Sequence, residues 1–142
     1  MIYIAADHAG YKLKEFLLEK LTERNIIFED FGTFHPEKED SYVSYARQVV
    51  RAIQKKKGWG ILICGSGVGM SITANRTKNI RAALVWNSEV AKRAREEDDA
   101  NIACLPARLI SDAEAWNILL TFLSTTFSGD DRYVRRLEQL ER

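Results

Sequence analysis

Apolar residues in this chain fall into short unbroken runs, separated by stretches where they recur every three or four positions. The first run, Met1–Ala6, does not alternate with polar residues and predicts a strand buried on both faces. Leu13, Phe16, Leu17 and Leu21 follow at helical spacing. Ile26-Ile27-Phe28 predicts a second strand, ended by Asp30-Phe31-Gly32-Thr33, and the polar segment Phe34–Ser41 a loop. Val43, Ala46, Val49, Val50 and Ile53 mark a second amphipathic helix, closed by Lys55-Lys56-Lys57-Gly58. Ile61–Cys64, led in by Gly58 and Gly60, reads as a third strand. The residues after its glycines read as a third helix ending near Asn75-Arg76.

Ile80–Trp86 predicts a fourth strand, and Asn87 or Ser88 the cap of a helix running to about Glu97. Asn101–Leu105 is a fifth strand. Ser111 and Glu114 then form a capping box before a long helix with Trp116, Leu119, Leu120 and Leu123 as its buried stripe. From Ser128 the chain turns polar and carries Arg132, Arg135, Arg136 and Arg142. Five strands alternating with five helices predict a Rossmann-like three-layer α/β/α sandwich around a five-stranded parallel sheet. Residues 1–142 are expected to form one domain with an arginine-bearing tail.

Composition narrows the function classes. Apolar residues at 46% suffice for a core, and a net charge of +1 gives no general attraction to nucleic acid or a membrane surface. Two cysteines, Cys64 and Cys104, build neither a disulfide framework nor a metal site with recognisable spacing. No apolar run nears the ~18 residues that span a bilayer, and the opening run turns polar at Asp7. The expectation is a soluble cytoplasmic protein.

Doubly wound sheets bind ligands outside the carboxyl ends of their strands. Four polar clusters fall there: Asp7-His8, Gly32-Thr33, Cys64–Gly69 and Trp86-Asn87. Gly65, Gly67 and Gly69 alternate after the third strand, so backbone N–H groups can face an anion with no Cβ between. Cys64 sits where the strand ends and a helix starts, a position that favours a thiolate. The run matches neither G-x-G-x-x-G nor a P-loop with its lysine, which argues against a nucleotide. Cys104, inside a strand, reads as core. His8 beside Asp7 is a site candidate, although Asp7 also suits a helix cap; the second histidine, His35, lies in a loop. Arg132 and Arg136 at i, i+4 share a helix face suited to gripping a phosphate, whereas Arg135 and Arg142 read as solvated.

Together these pieces resemble the ribose-5-phosphate isomerase B / galactose-6-phosphate isomerase family over nearly the whole chain. The resemblance is carried by Ala6-Asp7-His8-Ala9-Gly10, Gly32-Thr33, the run Ile63–Asn75, Ile80-Arg81-Ala82, Asp99-Ala100-Asn101, Ala107-Arg108 and the arginine tail. It implies an aldose–ketose isomerase that moves a proton between C1 and C2 of an open-chain sugar phosphate through a cis-enediolate. Cys64 matches the base, Ser66 a residue near the sugar oxygens, and Asp7 a carboxylate on sugar hydroxyls. Backbone donors of Gly65, Gly67, Val68 and Gly69 suit the developing oxyanion. His8, Arg108, Arg132 and Arg136 match the phosphate side, and Tyr42 the tyrosine of the family's Asp-Tyr-Pro. The resemblance further implies a homodimer whose sites combine residues of both subunits, with neither metal nor organic cofactor; pairing into tetramers stays open.

Two departures concern the sugar. Where the family has His-Asn before Asp-Ala-Asn, this chain has Glu97-Asp98, which replaces the histidine associated with ring opening and puts Asp98 at a hydroxyl-binding position. Ser41-Tyr42-Val43 replaces Asp-Tyr-Pro, with Asp40 one position early. Ribose 5-phosphate is the expected substrate. Allose or galactose 6-phosphate, and a sugar-phosphate binding protein with reduced catalysis, are the alternatives.

Overall fold

In the computed structural model, which describes residues 1–141, a five-stranded sheet is sandwiched between two helical layers. Arg142, assigned above to a solvated face, lies outside the described residues. The strands are β1 (Ile2–Ala6), β2 (Phe28–Asp30), β3 (Trp59–Cys64), β4 (Ala82–Leu84) and β5 (Ile102–Pro106). They run parallel in the order β2-β1-β3-β5-β4. The central strands β1 and β5 are buried along their whole length, and β3 beyond Trp59, which explains their unbroken apolar runs.

Helices α1 (Tyr11–Glu23), α4 (Ser88–Glu96) and α5 (Asp112–Ser124) cover one face, α2 (Tyr42–Lys55) and α3 (Val68–Ala74) the other. Ile4, Ile61, Ile63 and Leu105 meet Leu17, Leu21, Leu119 and Phe122 on the first face. Leu62, Ile102 and Cys104 meet Val49, Ile53 and Met70 on the second. Each large side chain removed from water in this way contributes about 1.5–3 kcal/mol. Ser111 accepts from the Glu114 N–H while Glu114 caps the Ser111 N–H, as the capping box predicts, and Asn87 caps α4 through the Val90 N–H.

Several elements differ from the sequence expectation: β3 begins at Trp59 rather than Ile61, and β5 spans Ile102–Pro106 rather than Asn101–Leu105. β2 begins at Phe28 rather than Ile26, and Ile27 is exposed. β4 spans only Ala82–Leu84 of the expected Ile80–Trp86, because as an edge strand it pairs with β5 alone. Among the described residues there is also a sixth helix, α6 (Asp131–Leu140), in the arginine tail. Tyr133 is its buried anchor, and Arg81 ties its end down by bonding Glu141 Oε1 at 3.1 Å.

Candidate active site

The sheet order reverses direction between β1 and β3, so their carboxyl ends open a crevice at the switch point. Main-chain hydrogen bonds continue past the strand ends and make its floor rigid. The Ala6 N–H donates to Gly32 O, Asp7 N–H to Ile63 O, and Ala107 N–H to Cys64 O. Above this floor lies a cleft of about 610 Å³ lined by Asp7, His8, Tyr42, Cys64, Gly65, Ser66, Val68, Gly69 and Arg108, with apolar Ile72 and Leu109 at its rim.

Cys64 closes β3 and is 5% exposed, so its sulfur meets the cleft through a small window. The turn that follows is shaped by Gly67, whose φ of +74° is left-handed. This conformation aims the Gly67 N–H at Cys64 Sγ at 3.1 Å, giving the sulfur a fixed donor. Ser66 Oγ accepts from the Val68 N–H at 3.3 Å. The Tyr42 ring packs on Gly69, and the Arg108 guanidinium lies against Gly65. Cys104 lies below on the same face of the sheet, fully buried, and burial pushes its thiol far above the ordinary range. It is a core residue, as its place in a strand predicts.

Asp7 is buried and accepts the Gly10 N–H at 3.0 Å, so it caps the turn into α1 and still lines the cleft. Burial raises its pKa above the ordinary carboxylate value. His8 is held by a residue to which its position in the sequence assigns no role. Asp40 Oδ1 accepts both the His8 backbone N–H at 3.0 Å and the ring Nδ1 at 2.9 Å. The hydrogen bond to Asp40 raises the His8 pKa. Bonds from His8 lower that of Asp40 despite its partial burial. The Tyr45 and Thr33 hydroxyls also favour ionised Asp40, although its buried Oδ2 has no partner in full hydrogen-bond geometry. Asp7, His8 and Asp40 bring one ligand-type atom each within 4.8 Å of the others. Within that group, His8 Nδ1 and Asp40 Oδ1 are engaged with each other.

Asp98, Arg132 and Arg136 lie elsewhere. Asp98 precedes β5, at the amino edge of the parallel sheet, whereas Cys64 ends β3 at the carboxyl edge. Arg81 and Arg95 bind the neighbouring Asp99, at 2.9 and 2.7 Å. Asp98 thus lines a separate groove of about 700 Å³ with Arg76, Lys78 and Arg81. Burial raises its pKa, the Glu97 charge adds to this, and Arg136 opposes it. Glu97 is bound by Arg93 at 2.8 Å, and its pKa is lowered by that bond and further by Tyr133 and Arg132. The expected residues therefore assemble into two clusters, one at each edge of the sheet.

Comparison with known proteins gives a consistent answer. Residues 2–140 match the family described as Ribose/Galactose Isomerase. Ribose-5-P isomerase B of Listeria innocua is 44% identical over 129 residues, which cover 90% of this chain and 86% of that protein. The crystal structure of a ribose 5-phosphate isomerase from Thermotoga maritima superposes with a TM-score of 0.95 at 45% identity, over 99% of this chain and 96% of that one. Ribose-5-phosphate isomerase B from Mycoplasma genitalium, solved with ribulose 5-phosphate bound, superposes with a TM-score of 0.94 at 38% identity, over 99% and 93%. The chain belongs to the ribose/galactose isomerase family.

Proposed function

We propose that this protein interconverts ribose 5-phosphate and ribulose 5-phosphate, with Cys64 as the base. The observation that carries the chemistry is the Cys64 sulfur, set at a strand end with the Gly67 N–H on it and the switch-point cleft before it. A thiolate there takes the C2 proton of the open-chain aldose, and the electron pair moves onto the carbonyl to give a cis-enediolate. The proton returns to C1 while the C2 hydroxyl proton passes to O1, so C2 becomes the carbonyl and no external oxidant is consumed. The C–H is acidic only if the developing oxyanion is stabilised, and fixed backbone donors in the Gly65–Gly69 turn suit that task. On this reading Asp7, His8 and Arg108, which all line the cleft, serve the sugar hydroxyls (Asp7) and the phosphate (His8 and Arg108).

A complete site on this reading takes two copies of the chain. Arg132, Arg136 and Asp98 sit at the wrong edge of the sheet to reach their own Cys64, so they serve the cleft of a partner in a homodimer. No helix among the described residues is long and apolar enough to cross a membrane, which fits an enzyme of cytoplasmic sugar phosphates.

The deciding assay follows ribose 5-phosphate by proton NMR in deuterated buffer. Wild type is expected to form ribulose 5-phosphate and exchange the C2 proton, and Cys64→Ala to do neither while still binding inorganic phosphate. Full turnover by Cys64→Ala overturns the base. Faster turnover of allose or galactose 6-phosphate overturns the substrate, and binding of ribose 5-phosphate without exchange overturns the isomerase reading.

A further inference from the structure

The Asp40 carboxylate, directly behind the cleft, is the strongest polar feature there that the proposed reaction leaves unused. It arrives on the loop after β2, 32 residues from His8, and one oxygen takes two bonds from that residue. An ionised carboxylate only accepts, so His8 Nδ1 must carry the proton. That fixes the tautomer and leaves Nε2 as the ring nitrogen free to meet a ligand. The second bond, to the His8 main chain, pins the strand end from which the ring projects. The His8 side chain is 37% exposed and that of Asp40 16%, so the pair presents its histidine end to the cleft and keeps its carboxylate behind.

We infer that Asp40 is the positioning residue of His8, orienting the ring so that its Nε2–H donates to the phosphate of the substrate. This rests on the sugar-phosphate reading above. The charged environment supports it. Asp40, Asp7 and Glu39 all favour the imidazolium. From the other walls, Arg108 is the cationic group of the same cleft, Cys64 and Tyr42 are its other titratable side chains, and Tyr45 backs Asp40. A protonated His8 thus adds a second cation beside Arg108. Asp40 lies one position earlier in the chain than the aspartate of the family's Asp-Tyr-Pro.

The chain has only two histidines, so each imidazole can be followed by NMR with labelled histidine, His35 serving as an internal reference. In wild type, His8 is expected to titrate above the ordinary value of about 6.5, with Nδ1 protonated in its neutral form. In Asp40→Asn its midpoint is expected to fall back to about 6.5 or below while His35 stays put. Inorganic phosphate is the binding probe. Its affinity for wild type should weaken as pH rises through the His8 midpoint, and Asp40→Asn should bind it about tenfold less tightly at neutral pH, the loss of one charge-assisted hydrogen bond. Equal His8 midpoints in the two proteins, or phosphate binding unchanged by pH and by Asp40→Asn, overturn the proposal. If Asp40→Asn fails to fold, the wild-type tautomer and the pH dependence of phosphate binding decide alone. A wild type that shows the His8 behaviour but isomerises no sugar phosphate supports the positioning role and overturns only the reaction assigned to the cleft.

Discussion

Replacing Gly67 by alanine tests how the turn beneath Cys64 is built, and Gly129 supplies the control. Both have left-handed φ values, +74° and +72°, so alanine is strained at either position. For an L-residue this conformation costs roughly 1–2 kcal/mol. Nothing lies within 4 Å of a Cβ at Gly129. At Gly67 the Cβ would come within 2.5 Å of Leu84 Cδ1 and 3.2 Å of the Leu105 carbonyl carbon. The leucine methyl can swing away but the backbone of β5 cannot, and forced overpacking adds about 1–3 kcal/mol. Gly129→Ala is therefore expected to lose about 1–2 kcal/mol, and Gly67→Ala about 2–5 kcal/mol. At roughly 3 °C per kcal/mol for a chain of this length, thermal unfolding should fall by ~3–6 °C and ~6–15 °C. Only Gly67→Ala should also lower kcat/KM, by about tenfold or more, because relief of the clash moves the N–H that now sits on Cys64 Sγ. Calorimetry and a turnover assay on both variants are sufficient. If the two lose equal stability, or Gly67→Ala keeps full kcat/KM, packing against β4 and β5 does not set the turn.

Two further outcomes follow. Iodoacetamide on the native protein should modify Cys64 and spare Cys104, whose burial disfavours its thiolate; mass spectrometry showing label on Cys104 first would contradict the burial. Co-refolding inactive Cys64→Ala with inactive Arg136→Ala should restore activity, since half the resulting dimers hold one site with both residues intact. Random pairing gives about a quarter of the wild-type rate, and no recovery would place Arg136 outside a shared site.

Legibility in the sequence follows burial. β1, β3 and β5 are enclosed by helices on both faces, so their unbroken apolar runs mark them on composition alone. β4 is overdrawn by the sequence pattern because apolar Ile80, Val85 and Trp86 continue past the three residues that pair with β5. α6 is legible only as spacing between two arginines. Tyr133 is its one buried side chain among the described residues, and its last turn is held by Arg81, whose approach depends on the tertiary fold. Grouping Asp7-His8 with Cys64 needs only parallel topology. The same logic separates Asp98 from them, because a residue before a parallel strand and one after its neighbour lie at opposite edges. Asp40 has no such signature. Its role depends on how an irregular loop returns to β1, and no periodicity encodes that path.

The two-edged distribution of charge and the apolar rim of the cleft have a common physical account in the proposed assembly. Val68, Ile72 and Leu109 are 44%, 59% and 74% exposed in the single chain, and all three line the cleft. Covering their remaining exposed fractions yields about 1–2 kcal/mol each, a driving force located at the site mouth rather than far from it. A partner docked there closes the cleft against water and can bring in the arginines that the cleft's own chain holds at the other edge. Neither half then performs the reaction alone. The Cys64 half carries a base and donors with one guanidinium, Arg108, while the Arg132–Arg136 half carries anion-binding charge with no base. Bringing phosphate-binding cations in from a second subunit also lets the base and the phosphate grip sit on separately rigid elements, the β3 turn and α6. Neither then has to be built on a flexible loop of the same chain.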